Sequence, residues 1–305
     1  KKLYPGYKHM SETAIKDWDG KGLVDHRHVF IEWTRINKDA TLTTINALLA
    51  RSFENLAYLA AEIGNQKDVK RYQKITKKLR KIIRKECWDE EKQAFRDGFD
   101  EGKAIESWYP ISSAWPILFD VPSEQQNRVV EDHFRKVLAD IGDRDRHRQA
   151  TPYGGFYVIG ALYKLGYADI AERFIRQYWS PMILRHNDTA WENFGDSGGQ
   201  GTLSHAWAGG PTYYFTTEIL GVQLGYPKPI NYKKLIISPQ ATDNITWAKG
   251  KVPHPKAGLV EVDWQVKGDK LFLNYTTEKT IDCDIIPKGR LADLELWING
   301  EKVSE

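Results

Sequence analysis

The spacing of apolar residues changes once along this chain, and that change constrains the fold more than any other feature. Up to about Gly221 the apolar positions recur every three to four residues, and beyond Pro227 and Pro229 they alternate. One chain therefore has to build a helical part and then a sheet part. Its 305 residues are enough for a sizeable core in one large or two unequal domains. The proline-containing linker places the boundary: residues 1–227 as a helical-hairpin domain and residues 228–305 as a small antiparallel β-sandwich.

Within the helical part, Thr41 can cap a helix whose apolar face runs Ile45, Leu48, Leu49, Phe53, Leu56, Leu59, Ala60, Ile63 and stops at Gly64. Val69, Tyr72, Ile75, Leu79, Ile82, Ile83 and Cys87 give its partner, and helices joined this closely pack as an antiparallel hairpin. Trp88–Asp100 reads as a polar turn or small hairpin. Ser107–Phe119 predicts a short or kinked helix, because Pro116 cannot donate. Pro122-Ser123 opens another helix; Tyr157–Leu165 and Ile170–Tyr178 form a further pair around Gly166, and Ser204 can cap a helix from Ala206 to Leu220. EIGNQKDVKRY, ending at Tyr72, and KLGYADIAERF, ending at Phe174, repeat one glycine–aspartate–aromatic pattern. Two copies of such a unit point to a repetitive all-α architecture, a solenoid or a closed toroid of hairpins. Residues 1–40 read as irregular, broken at Pro5, Gly6, Gly20 and Gly22, and Lys267-Gly268-Asp269-Lys270 reads as a hairpin turn in the β-rich tail.

A net charge of +3 argues neither for nucleic acid nor for an anionic membrane surface. The cationic run at Lys77–Glu86 has helical spacing and reads as a solvated helix face. No apolar run reaches membrane-spanning length, and the first residues do not read as a signal peptide, so the chain is cytosolic or its start is missing. Cys87 and Cys283 stand far apart and read as buried free thiols. His26-Arg27-His28 lacks a matching third metal ligand, and no nucleophile elbow, phosphate loop or dinucleotide fingerprint is present, so no cofactor is implied.

What stands out is aromatic: 11 Trp and 15 Tyr, several of the tryptophans beside acids. Tyr178–Phe215 concentrates them, with Trp179, Trp191 and Trp207 around Asp188, Glu192, Asp196, His186 and His205 and a glycine-rich turn at Gly195–Gly201. Indole faces suit the C–H surface of a sugar, and carboxylates suit its hydroxyls and protons. Asp188 and Asp196 read as turn-formers. Glu192 alone has tryptophan before it and phenylalanine close after, a setting that prepares a carboxylate to accept a proton from water. Arg185 is its local competitor for an ordinary ion pair. Carboxylate chemistry on a sugar needs a second carboxyl group, and Asp17, Asp19, Asp25 and Glu32 have no context that singles one out.

The motifs YWSPMILRHNDTAWENF (Tyr178–Phe194), LSHAWAGGPTYYF (Leu203–Phe215), LGV (Leu220–Val222), ISPQ (Ile237–Gln240) and ITWAKGKVP (Ile245–Pro253) resemble the bacterial α-L-rhamnosidases. VFIEW (Val29–Trp33) and LTTINALL (Leu42–Leu49) resemble earlier landmarks of that family. The resemblance implies an (α/α)6 toroid followed by a β-sandwich, and inverting hydrolysis of terminal rhamnosides in a glycoside or polysaccharide. It implies that Glu192 is the general base, that His205 contacts sugar, and that Trp33 lines the pocket, with Glu32 where the family often has aspartate. Trp191, in the same motif, and Glu32 are counted with them as substrate-binding residues, and Trp108 matches a further wall tryptophan. The segment before Trp-Glu departs from the family pattern at His186–Ala190. The family's general acid lies upstream of the part matching Val29, and about seven helical segments are legible against roughly twelve in a closed toroid. The expectation is therefore the C-terminal part of a longer enzyme, packed on its own N-terminal part, with a secreted or periplasmic location by resemblance. The alternatives are a non-catalytic helical scaffold with an aromatic binding surface, or a uronate lyase on a similar toroid.

Overall fold

The computed structural model describes residues 2–139, 150–184, 189–194, 201–225 and 232–303. The chain divides into two compact units, residues 1–161 with 193–196 and residues 162–192 with 197–305.

The first unit is built on a helical hairpin. α1 (Tyr4–Thr13) precedes an extended stretch, after which α2 (Thr43–Glu62) and α3 (Gln66–Glu86) fold back on each other. Gly64 makes the turn at a φ of 80°, which a side chain would resist. Phe53, Leu56 and Ala60 of α2 meet Tyr72, Leu79 and Ile83 of α3 in the core, with the Phe53 and Tyr72 rings 5.7 Å apart. Asn65 caps α3 by accepting from the Asp68 amide at 3.1 Å.

Two expectations need correcting here. Residues 1–40 are not irregular throughout, because α1 tolerates Pro5 in its first turn, where the missing N–H has no partner to lose. The Tyr4 hydroxyl and the Lys8 ammonium each donate to Asp68 at 2.7 Å, and Lys8 holds that carboxyl below its ordinary range. The cationic run of α3 is also not simply solvated. Arg80 donates to the Phe119 carbonyl (2.7 Å) and to Glu54 (2.9 Å), and Arg84 donates to the Val121 carbonyl (2.7 Å). Helix ends leave carbonyls without intrahelical donors, and these guanidiniums supply them after α4 (Pro110–Leu118). α4 is short and contains Pro116, as its sequence predicts. Small strands β1 (Thr41–Leu42), β2 (Trp88–Asp89), β3 (Ala94–Phe95), β4 (Gly98–Asp100) and β5 (Lys103–Ala104) pair beside it as β2–β3 and β1–β4–β5. α5 (Glu124–Ala139) opens on a reciprocal cap between Ser123 and Gln126.

α6 (Pro152–Lys164) and α7 (Ala168–Leu184) flank a turn at Gly166, φ 84°. Gly64 and Gly166, followed by Asp68 and Asp169 in the next helical turn, give the repeated sequence pattern the same backbone device twice.

In the second unit the single helix expected from Ala206 to Leu220 is three pieces: a 3-10 turn (Ala206–Gly209), α8 (Gly210–Tyr214) and a wider π turn (Phe215–Ile219). Gly209, Gly210 and Pro211 interrupt the ladder, and His205 rather than Ser204 occupies the cap position. The β part contains β6 (Lys234–Ile237), β7 (Trp247–His254), β8 (Gly258–Lys267), β9 (Lys270–Thr277), β10 (Asp282–Ile285), β11 (Glu295–Ile298) and β12 (Glu301–Lys302). They form a five-stranded sheet in the order β12-β11-β9-β8-β7 and a separate pair of β6 with β10. Pairing is mostly antiparallel, with β9–β11 and β6–β10 parallel. The β8–β9 hairpin turns at Gly268, where the sequence predicts it. Val252, Val260, Val262, Trp264, Leu271 and Leu273 point inward, and the Trp264 indole donates to the Ile219 carbonyl at 2.9 Å. Cys87 is buried as expected, whereas Cys283 is only half-buried; both are free thiols.

Candidate active site

Glu192 is presented by two short backbone segments that pair side by side in the second unit. Its amide donates to the Thr202 carbonyl at 2.9 Å, and the His205 amide donates to the Ala190 carbonyl at 2.8 Å. This pairing brings together two residues thirteen positions apart in sequence, Glu192 and His205, and inserts Thr202 between them. The Thr202 amide lies 2.9 Å from Glu192 Oε2. The Thr202 hydroxyl lies 3.4 Å from that oxygen and 2.7 Å from His205 Nδ1, while Nδ1 itself is 3.7 Å from Oε2. A hydroxyl has one proton to give. If Thr202 donates it to Nδ1, the imidazole carries its own proton on Nε2 and presents a donor outward.

α7 props both arms of this arrangement. Trp191 is buried, and its amide faces the Met182 sulfur at 3.4 Å. The Trp179 indole donates to the Ala208 carbonyl at 2.8 Å, and the Thr189 hydroxyl bonds the Leu203 carbonyl. The Trp207 ring packs against the His205 ring, centres 4.1 Å apart and planes tilted by 41°, and its indole donates to the Glu192 carbonyl at 3.3 Å. The side chains of Glu192 and His205 keep 18% and 31% of their surface exposed, enough for water and a ligand to reach them. Arg185, His186, Asp188, Asp196 and the rest of residues 195–200 in the glycine-rich turn lie outside the described residues.

The first unit holds the remaining candidates in two places. Glu32 has no exposed surface, and its Oε1 accepts from the Trp33 amide at 2.9 Å and from the Thr151 hydroxyl. Burial pushes its pKa up; the Thr151 hydroxyl and the amides of Trp33, Thr151 and Gly154 pull it part of the way back. Its carboxyl group thus sits at the start of α6, where unpaired helix amides welcome an oxygen. A Cβ on Gly154 would overlap Glu32 Oε2, so any larger residue there displaces the carboxyl group. Trp33 is 55% exposed, with Phe30 edge-on at 5.0 Å and Tyr153 6.0 Å beyond Phe30.

Trp108 is half-buried, with Lys92 Nζ 5.5 Å from its ring centre. Its turn is held by Asp97, a buried carboxyl accepting from the Tyr109 amide (2.9 Å), Ser112 (2.6 Å) and Ser107 (2.5 Å), whose pKa burial raises. Asp17, Asp19 and Asp25 stand in solvent. His26 is engaged by the Ala14 carbonyl and His28 by Asp39. Sequence reasoning missed Thr202, Thr151 and Asp97. Thr151-Pro152 did carry a signal, a capping threonine ahead of a proline at the first helical position.

A model of the bacterial α-L-rhamnosidase six-hairpin glycosidase domain matches residues 2–219, and one of the bacterial α-L-rhamnosidase C-terminal domain matches residues 221–278. The α-L-rhamnosidase of Alteromonas sp. (strain LOR) is 27% identical over 253 residues, covering 79% of this chain and 26% of that protein. The α-L-rhamnosidase of Formosa agariphila is 26% identical over 229 residues, covering 69% of this chain and 23% of that protein. The chain therefore spans about a quarter of the length of the curated relatives it matches. Among solved structures, the GH78 family rhamnosidase of Bacillus sp. GL1 superposes with a TM-score of 0.81 at 23% identity, over 100% of this chain and 32% of that one. At that identity the likeness speaks for the fold, a helical-hairpin domain followed by a β domain.

Proposed function

Since this chain belongs to the bacterial α-L-rhamnosidase family, we propose that it supplies the base side of a glycoside hydrolase that releases terminal rhamnose with inversion at the anomeric carbon. The observation that carries the proposal is the Glu192–Thr202–His205 arrangement. Thr202 engages Glu192 Oε2, and among the described residues no donor engages Oε1. Oε1 is therefore the oxygen that orients a water and takes its proton as the water attacks the sugar carbon, while a separate carboxylic acid protonates the departing oxygen on the opposite face. His205, its Nδ1 occupied by Thr202, offers Nε2–H to a sugar hydroxyl.

The other candidates take roles that their surroundings suggest. Within the first unit, Trp33 offers an open indole of the kind that suits the apolar face of a sugar. Glu32 acts through Trp33, whose backbone amide it holds, rather than by touching substrate. Trp191 holds the base from beneath. We assign the acid role to none of residues 1–305.

Replacement of Glu192 by Gln in the intact protein tests the reading. Turnover of an aryl rhamnoside falls by on the order of 10²–10⁴-fold with KM little changed, because the loss is confined to the chemical step. Azide, a nucleophile that needs no base, then restores turnover and gives a glycosyl azide of inverted configuration. Near-normal turnover, or a first-formed sugar that retains its configuration in the NMR spectrum, sinks it.

A further inference from the structure

The outer face of the five-stranded sheet has a composition that packing does not explain. Strand register puts Trp247 of β7 opposite Gln265 of β8, Gln265 opposite Phe272 of β9, and Phe272 opposite Trp297 of β11. Side chains in one register row share a face, and these four point away from the Val262–Trp264–Leu273 core. Phe272 and Trp297 sit 5.8 Å apart with rings 32° from parallel. Trp247 is 66% exposed, and among the described residues no ring or cation rests against it. Trp247 and Phe272 are two strands apart, ~10 Å, a span that fits a chain of sugar rings better than a single one.

The next rows are polar. Lys249 pairs with Asp263 at 2.8 Å and Lys251 with Glu261 at 2.5 Å. They line a shallow groove of about 310 Å³ with Asn274 and Asn299. On the other flank Glu295 receives Lys302 (2.6 Å), Lys270 (3.3 Å) and the Trp297 indole (2.7 Å). We infer that this face binds a neutral glycan chain, with Trp247 and the Phe272–Trp297 pair as stacking platforms and the flanking rows as partners for hydroxyls. Lys249, Lys251, Lys270 and Lys302 are each met by a carboxylate, while Lys267 lies over the Phe272 ring and Lys270 over the Trp297 ring, 5.8 and 5.6 Å from their centres. The face therefore offers donors and acceptors of both signs. A protein partner fits less well, since charged residues are depleted at the centre of protein interfaces. Stacking aromatics flanked by fixed polar groups are what a polyhydroxylated ligand needs.

The inference stands apart from the hydrolytic reading and is tested separately from it. The intact protein and its Trp247→Ala and Trp247→Phe variants are run through native gels containing arabinoxylan, hydroxyethylcellulose or rhamnogalacturonan, and each is assayed on an aryl rhamnoside. A neutral polymer retards the wild type, Trp247→Ala weakens that binding roughly three- to tenfold, Trp247→Phe recovers most of it, and aryl rhamnoside turnover is unchanged. Loss of retention at Trp247→Ala in a protein that does not turn over the aryl rhamnoside supports the face and counts only against the hydrolytic reading. The inference is overturned if no neutral polymer retards the wild type or if Trp247→Ala migrates unchanged. It is equally overturned if only the acidic rhamnogalacturonan binds and Lys249→Ala, not Trp247→Ala, abolishes that binding.

Discussion

Glu32 and Glu192 each follow or precede a tryptophan in their motifs, yet the fold treats the two carboxyl groups in opposite ways. Glu32 is sealed in the first unit, accepts at Oε1 from the Thr151 hydroxyl and the Trp33 amide, and has its pKa raised by burial. Glu192 is half-open in the second unit, with one oxygen tied to Thr202 and the other unengaged among the described residues. A carboxyl group that water does not reach cannot activate water, whatever its pKa. One that keeps an oxygen free and a hydroxyl-bridged imidazole beside it can. The difference separates a positioning role from a chemical one, and substitutions can break or sharpen it.

The largest effect belongs to Glu192→Gln, the 10²–10⁴-fold loss of kcat argued above, with thermal stability close to wild type. If Glu192→Gln unfolds the protein instead, Glu192 is the structural residue and the contrast collapses. Next comes Glu32→Ala. It strands the Thr151 hydroxyl and the Trp33 amide that Oε1 now accepts from, at a cost of about 1–3 kcal/mol for the unsatisfied groups. A lowered urea midpoint, with kcat per folded molecule within about a factor of ten of wild type, separates it from Glu192→Gln. Gly154→Ala probes the same contact from the other side. Its Cβ would overlap Glu32 Oε2, so the carboxyl group has to move off its hydrogen bonds to the Trp33 amide and the Thr151 hydroxyl. A loss of about 1–3 kcal/mol is expected, although Gly→Ala inside a helix ordinarily stabilises. An unchanged or raised melting temperature would show that the Glu32 pocket is looser than its geometry.

Thr202→Val is gentler. It keeps the backbone amide on Glu192 Oε2 and removes only the hydroxyl between that oxygen and His205. One hydrogen bond at a half-exposed site is worth about 0.5–1.5 kcal/mol, so kcat/KM drops roughly three- to tenfold. Measured alongside His205→Ala, a double-mutant cycle should show that the two losses do not add. Full additivity would mean that Thr202 does not act through the imidazole.

These contrasts were only partly legible in the residues themselves. The helical hairpins and the β tail follow from periodicity, which reports burial directly, and Gly64, Gly166 and Gly268 mark turns by the backbone freedom they supply. Glu192 could be singled out because it directly follows Trp191, and His205 because the Ser204-His205-Ala206-Trp207 run resembles a family motif. Their bridge could not, since Thr202 has no pattern of its own until two segments pair. Glu32 could not be told apart from Asp17, Asp19 and Asp25 because its partners, Thr151 and Gly154, lie more than a hundred residues away. The single helix read from Ala206 to Leu220 breaks into pieces for a local reason instead: Gly209, Gly210 and Pro211 weaken the ladder near its start.

The smallest expected effect concerns protons. The raised pKa of Glu32 means that the folded state holds this proton more tightly than the unfolded chain does. Its contribution to stability is therefore complete below the unfolded value, about pH 4.3, and is lost as pH rises through the folded value. Asp97 has the same sign. Asp68 has the opposite sign: held low by Lys8, it contributes above its unfolded value and loses that contribution as pH falls through the folded one. Glu32→Gln mimics the protonated form at every pH. Urea midpoints from pH 4 to pH 8 should thus fall less steeply for Glu32→Gln than for wild type, while Asp97 preserves part of the slope in both. Asp68→Asn moves the other way, its deficit against wild type closing in acid. Parallel curves for Glu32→Gln and wild type would mean that Glu32 stays charged in its pocket, and the contrast with Glu192 would then rest on access to water alone.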